Sequence, residues 1–235
     1  MIPVLNPAGV QEFLDLGLYG WAMSRFSGCW VSFKTVAETV DSSASVHVDP
    51  HRVKIITPTD FDMPEGGLNI RWPDEFLAQE ERHHKYKLDA ALAFARANKL
   101  DKVMIDSPKR RLGIVTTGKS YLDTRQALDD LGISDAQAAD MGISLYKVAM
   151  TWPLEREGML AFAEGLDEIL VVEEKRPLIE NQLKEQLYDL RDNVRPNVLG
   201  KFDESGDWIL PSSGELTPAQ IARAIAKRLS RWQTS

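Results

Sequence analysis

Arg111-Leu-Gly-Ile-Val-Thr-Thr-Gly-Lys-Ser-Tyr-Leu-Asp-Thr-Arg-Gln-Ala-Leu-Asp-Asp-Leu131 reads as strand, turn and helix. Leu112, Ile114 and Val115 form a short apolar run that Thr117 and Gly118 break. Thr124, Ala127, Leu128 and Leu131 then recur at helical spacing as far as Gly132, a residue suited to a left-handed cap. This is the first half of a β-α-β unit. Where the strand turns into the helix, the unpaired N–H groups of Ser120 and its neighbours face past the sheet edge, a setting that favours an anion. Gly118, Lys119 and Ser120 are therefore the first candidate binding residues.

The pattern continues regularly from there. The spacing predicts strand 112–116, helix 119–131, strand 143–148, helix 155–164, strand 168–173, helix 177–190, strand 197–200 and helix 217–230. Gly165 closes one helix, Pro177 opens the next, and Thr217-Pro218-Ala219-Gln220 is a capping box with proline at the first helical position. Such alternation predicts an α/β fold, an open parallel or mixed sheet with helices on both faces. Glu173 and Glu174 end a strand at the carboxyl edge, where open α/β sheets place ligands. Glu173 joins the candidates on that ground, against its reading as a structural partner for Lys175, Arg176 or a helix N-terminus.

Gly113–Ser120 also matches the P-loop pattern G-x-x-x-x-G-K-[ST], and Ile169–Glu174 imitates the acidic strand end that holds magnesium in nucleotide hydrolases. Context argues against a phosphate cradle. Such a loop needs an apolar strand before its first glycine and a loop free of bulky residues. Here Pro108, Lys109, Arg110 and Arg111 precede Gly113, and Ile114 and Val115 are the residues able to form the strand. A P-loop ATPase or phosphotransferase using Gly113–Ser120 is thus the rival reading. On the leading one, Lys119 is an exposed residue near a helix start, and its truncation should change stability by less than about 0.5 kcal/mol.

Composition narrows the classes further. A 235-residue chain with 43% apolar residues can bury a large core, and a net charge of −7 opposes a nucleic-acid surface. Its basic clusters, Lys109–Arg111 and Arg223–Arg231, read as solvated faces. No apolar run approaches the ~20 residues that span a bilayer, and the amino terminus lacks a signal-peptide pattern, so a cytoplasmic location is expected. Cys29 is the single cysteine, which leaves no intrachain disulfide and no cysteine-held zinc or iron–sulfur cluster. Adjacent His83 and His84 point about 100° apart on a helix and suit solvent better than one metal. His47 and His51 flank a turn without a clear third ligand, and Cys29 has no basic neighbour in sequence to activate it.

The first 57 residues differ from the rest. A helix opens at Asn6 or Pro7, carries Val10, Phe13, Leu14, Leu18 and Trp21, and ends near Gly28; Cys29–Phe33 reads as strand or as the start of a second helix, and Val53–Ile56 as a strand. Trp21, Phe26, Trp30, Phe33, Phe61 and Trp72 have too little chain around them for burial, which predicts a covering partner. Residues 58–73 form a Pro- and Gly-rich connection with apolar anchors, read as a strap on a neighbouring domain. A charged, then Ala-rich helix over 74–98 follows, with Glu80–His84 and Glu81–Lys85 spaced for i,i+4 pairs.

Several stretches together carry a family resemblance. Pro7-Ala-Gly-Val-Gln-Glu12, Leu18-Tyr-Gly-Trp21 through Ser27-Gly-Cys-Trp30, and Gly66-Gly-Leu-Asn-Ile-Arg-Trp-Pro73 resemble the middle of fused, single-chain indolepyruvate:ferredoxin oxidoreductases, of the thiamine-diphosphate-dependent 2-oxoacid:ferredoxin oxidoreductase family. So do Leu112–Tyr121, Trp152-Pro-Leu154, Val171-Val-Glu-Glu-Lys-Arg176 and Gly200-Lys-Phe202. The resemblance covers essentially the whole chain. It implies the carboxyl-terminal part of a pyrimidine-binding domain over 1–57, a strap and bridging helix over 58–100, and a transketolase carboxyl-terminal-like domain over 101–235. For the parent enzyme it implies thiamine diphosphate, magnesium, iron–sulfur clusters, coenzyme A and ferredoxin, and a homodimer.

The glutamate that activates the aminopyrimidine would precede residue 1, the Gly-Asp-Gly diphosphate motif would follow residue 235, and the cluster cysteines are absent. Thiamine chemistry is assembled between two domains that hold the cofactor's two ends. The expectation is therefore an internal segment that binds no cofactor alone, contributes no catalytic residue or metal site, and serves as a structural and interface domain with the parent's remaining domains as partners.

Overall fold

The computed structural model describes residues 1–233. Its chain opens with strand β1 (Val4–Leu5), helix α1 (Val10–Ser27), strand β2 (Ser32–Phe33) and the single-turn helix α2 (Ala37–Val40). Helix α3 (Phe76–Arg82) runs through a π-helical turn, His83–Lys87, into α4 (Leu88–Ala97). Strands β3 (Lys102–Ile105) and β4 (Leu112–Thr117) lead to helices α5 (Gly118–Asp130) and α6 (Asp135–Met141). Strands β5 (Ile143–Val148) and β6 (Met150–Trp152), helix α7 (Arg156–Ala163), strand β7 (Glu168–Val172), helix α8 (Leu178–Leu187), strand β8 (Asn197–Leu199) and helix α9 (Pro218–Gln233) complete it. None of these helices is long and apolar enough to cross a membrane.

Two units result. One comprises Met1–Asp101 and Ala149–Glu155; the other comprises Lys102–Val148 and the chain from Arg156 onward. The second unit holds a mixed sheet of order β3-β5-β4-β7-β8, parallel throughout except for β3, which pairs antiparallel with β5. β4 lies at its centre with all six residues buried, as a strand covered on both faces requires. Leu112 and Ile114 join Ala127, Leu128, Ile221 and Ile225 in a core under α5, α6 and α9. On the opposite face Gly113 lets α7 approach: a Cβ there would lie 2.5 Å from Leu166 and 3.0 Å from Phe162. The expected sheet with helices on both faces is present, and Gly113 is a packing glycine inside its central strand.

Several local expectations are corrected. Val53–Ile56 is no strand, because the Asn98 side chain satisfies Ile56 on both sides, its Oδ1 accepting the N–H at 2.7 Å and its Nδ2 donating to the carbonyl at 2.9 Å. Residues 29–40 divide between the two readings, with strand β2 followed by α2. Helix α8 ends at Leu187 instead of 190, and Arg195 donates to the Tyr188 carbonyl at 2.9 Å just beyond. Strands β1, β3 and β6 and helix α6 were not anticipated, although Ser134 and Gln137 form a reciprocal capping box. The Arg223–Arg231 cluster is not uniformly solvated: Arg228 is 2% exposed.

The first unit holds a three-stranded sheet of order β2-β1-β6, with β1 parallel to β2 and antiparallel to β6. Leu5, Met23, Phe94 and Met150 centre its core. Phe26, expected at the surface, packs 6.0 Å from both Phe61 and Phe94 and is half-buried, as are Phe33 and Phe61. The strap sits on this same unit. Leu68 is 2% exposed, and its carbonyl oxygen would lie 2.2 Å from any Cβ at Gly28, whose φ of +69° also favours glycine.

Asp101 anchors the segment that returns to the first unit. Its Oδ1 accepts from the N–H groups of Ala149 and Met150 at 2.7 and 3.1 Å, while Oδ2 is buried without a partner among the described residues. Burial pushes this carboxyl up to about 7; the two backbone bonds oppose the shift, and nearby Glu155, itself paired with Arg96 at 3.0 Å, adds to it. The folded state thus holds a proton that an unfolded aspartate has released. The stability this provides is complete below the ordinary value of 3.8 and is lost as pH rises toward 7. Asp101→Asn should flatten the fall in melting temperature between about pH 4 and about pH 7. Identical slopes for both proteins would show that Asp101 does not titrate there.

Candidate functional site

The chain leaves β4 for β5 on one side and later places β7 on the other, so the carboxyl ends of β4 and β7 flank a switch point where open α/β sheets commonly bind ligands. Gly118, Lys119 and Ser120 follow β4, and Glu173 and Glu174 follow β7. The fold therefore brings the candidates to one edge. Gly118 starts α5 at φ +51°, and Ser120, in its first turn, is 2% exposed.

Lys119 is where the sequence expectation fails. Its Nζ lies 2.8 Å from Asp123, 3.0 Å from Glu215 and 3.7 Å from Glu174, and its side chain is 12% exposed. Burial pulls the ammonium pKa down, but hydrogen bonds to Asp123 and Glu215 outweigh it and the net shift is upward. Three carboxylates around one ammonium already over-neutralise it, so an incoming phosphate meets negative charge. Asp123 is one helical turn along α5, while Glu215 comes from the distant 211–217 loop, a partner that spacing alone could not reveal.

Glu173 occupies the other anion-favouring position. Its Oε2 accepts from the N–H groups of Leu178 and Ile179, and its Oε1 from that of Glu180, all at 3.0 Å. The first turn of α8 thus receives its negative charge from the chain itself. Burial raises the Glu173 pKa in spite of those bonds and of nearby Lys201. Lys201, 1% exposed, donates to the carbonyls of Glu173 and Pro211, and burial lowers its pKa. Gly200 makes room for this arrangement, because a Cβ there would lie 2.1 Å from Glu180 Oε2. Sequence reasoning assigned Lys201 no role, and nothing local to it signals burial.

The remaining candidates stay apart. Among the described residues no group of three or more His, Cys, Asp or Glu side chains is placed to hold a metal. His83 is not fully solvated: its Nε2 is buried without a hydrogen-bond partner among the described residues, and burial lowers its pKa. Cys29 is 4% exposed and burial raises its pKa, the opposite of nucleophile activation. Iron–sulfur clusters need several thiolates, and a diphosphate with magnesium needs free donors and uncommitted carboxylates. One buried thiol cannot hold a cluster, and the Lys119 ammonium and the Glu173 carboxylate at this edge are already committed to groups of the chain itself.

The first unit carries a different kind of surface. A groove of about 930 Å³ runs past Trp21, Trp30, Val31, Phe33 and Ile70. Trp30 and Ile70 are each 83% exposed and Trp72 94%. Trp21, Trp30 and Ile70 give this groove an exposed apolar lining.

Comparison with known proteins locates the chain. A family model described as the indolepyruvate ferredoxin oxidoreductase middle domain matches residues 101–235. Indolepyruvate oxidoreductase subunit IorA of Thermococcus kodakarensis is 30% identical over 97% of this chain and 33% of its own length. The Pyrococcus abyssi subunit of that name is 26% identical over the same shares. The chain spans about a third of the length of these curated relatives. Among solved structures, a 2-oxoglutarate:ferredoxin oxidoreductase from Magnetococcus marinus aligns with a TM-score of 0.55 at 15% identity, over 97% of this chain and 42% of that one, a likeness of fold.

Proposed function

Because the chain belongs to the indolepyruvate ferredoxin oxidoreductase middle domain family, we propose that it is the structural and interface portion of such an oxidoreductase and carries no activity alone. On this reading the whole enzyme decarboxylates an aryl 2-oxoacid to its acyl-CoA and passes the electrons to ferredoxin, with thiamine diphosphate, magnesium and iron–sulfur clusters held by other portions. Residues 1–57 are the end of a pyrimidine-binding domain, 58–100 a strap and helix, and 101–235 a transketolase carboxyl-terminal-like domain. The working enzyme is a cytoplasmic homodimer.

One observation carries the reading. The sheet edge that would bind a ligand spends its charges on the chain's own groups, whereas the first unit turns Trp21, Trp30, Ile70 and Trp72 to solvent. Purified chain given indolepyruvate, coenzyme A, thiamine diphosphate and magnesium should reduce a viologen dye no faster than a blank without protein. Dye reduction above that blank would overturn the proposal.

A further inference from the structure

A small pocket of the second unit is lined by side chains that offer hydrogen-bond donors and no free acceptor. It encloses about 260 Å³ between Trp208 and one face of α9, where Gln220, Arg223, Ala224 and Lys227 recur at helical spacing. Trp208 is 59% exposed. Phe202 packs against its indole with ring centroids 4.2 Å apart, and the turn between them is fastened by Asp203, whose Oδ1 accepts from the N–H groups of Ser205 and Asp207, both at 3.0 Å. The indole can only donate. Gln220 spends its Oε1 on Thr217, accepting from the N–H at 2.9 Å and the hydroxyl at 3.1 Å, so its amide donors are what remain. Lys227 is paired with Asp203 at 3.1 Å, whereas the exposed Arg223 makes no hydrogen bond or ion pair among the described residues. Its own helix supplies none: the positions three and four away hold Ala219, Gln220, Ala226 and Lys227, and a like charge at that spacing repels it.

We propose that this pocket binds a small aromatic acid, one ring system bearing one carboxylate, with the ring against Trp208 and the carboxylate on Arg223. The inference goes beyond the interface reading of the chain and does not depend on it. An indole held in place by its hairpin gives a planar ring a surface to stack on, at little ordering cost. The guanidinium fork matches a carboxylate with two parallel hydrogen bonds, which a lone ammonium cannot do. Ala224, small and 4% exposed, leaves room between the two walls. Size and charge narrow the class. A volume of about 260 Å³ lies below the roughly 300–1,000 Å³ of sites for drug-sized ligands, so one or two fused rings fit and a nucleotide cofactor held whole does not. One uncommitted cation balances the single charge of a carboxylate, whereas a phosphate monoester brings a charge of about −1.5 to −2.

The test uses the whole chain with 2-naphthoate as the probe. Heteronuclear NMR separates the indole N–H resonances of the six tryptophans, and loss of one signal in Trp208→Phe identifies that of Trp208. Titration should shift the Trp208 resonance to saturation. The uncharged 2-naphthamide should bind the native chain about tenfold more weakly or worse, and Arg223→Gln should weaken 2-naphthoate by a similar factor, the scale of a lost hydrogen bond to a charged group. Because Arg223 is exposed and unpaired, this variant should keep the native melting temperature. Acetate, an acid without a ring, should leave Trp208 unmoved, and 2-naphthyl phosphate should bind no tighter than 2-naphthoate. The proposal is overturned if millimolar 2-naphthoate leaves the Trp208 resonance in place, if 2-naphthamide binds equally well, or if Arg223→Gln does not change the affinity. Tighter binding of 2-naphthyl phosphate would overturn the choice of a carboxylate. None of these outcomes bears on the assignment to the oxidoreductase, which the dye assay tests.

Discussion

Arg228→Ala is expected to lower the unfolding free energy by about 3–5 kcal/mol, the range for removing one partner of a buried ion pair. The Arg228 and Glu168 side chains are 3% and 6% exposed, and the guanidinium spans both Glu168 oxygens, with Nε 2.6 Å from Oε1. It also holds Glu204 at 2.9 and 3.1 Å, and that hydrogen bonding draws the Glu204 carboxyl down to about 2. Truncation would leave Glu168 buried at the start of β7, with Arg231 3.6 Å away and half exposed as its remaining cation. Urea denaturation measures the loss. Adding Glu168→Gln should restore part of it, because the penalty lies mainly in the stranded charge. A loss below about 1 kcal/mol would show that water reaches Glu168 when Arg228 is gone.

Lys119→Ala should cost about 1–3 kcal/mol, well beyond the shift expected of an exposed lysine. Removing the ammonium leaves Asp123, Glu174 and Glu215 facing one another, two of them with side chains less than a fifth exposed. Their repulsion is partly screened, so the loss should shrink as salt is raised from low ionic strength. Mg-ATP should leave the melting temperature of both proteins unchanged. A nucleotide at a hundred times its Kd would add about 2.7 kcal/mol. Stabilisation of that size in the native chain, abolished by Lys119→Ala, would return Gly113–Ser120 to the phosphate-binding class.

The outcome at Gly113–Ser120 shows how far residue patterns reach. The P-loop match was formally complete, yet the order of apolar and basic residues placed Gly113 in a strand, and the structure puts it at the centre of the sheet against Phe162 and Leu166. Local physics sufficed there because strand periodicity is set within a few residues. It did not suffice for Lys119, whose Glu215 partner lies 96 positions along the chain. The same limit applies to Asn98, which takes Ile56 out of any strand, and to Arg228, whose amphipathic surroundings resemble a solvated face until α9 is laid over β7.

Alternating strand and helix patterns, the capping boxes and the left-handed glycines all lie within a turn or two of the residues they organise, and these were sufficient for the sheet of the second unit and its covered faces. The resemblance carried by Leu112–Tyr121, Val171–Arg176 and Gly200–Phe202 was sufficient for the family. Which charges are buried, and with which partners, was not legible. Desolvation depends on everything that packs around a group, and those neighbours come from remote stretches. The edge of β2 is a case in point. Nothing in Trp30-Val-Ser-Phe-Lys34 says which backbone groups face outward; pairing with Pro3 and Leu5 decides that.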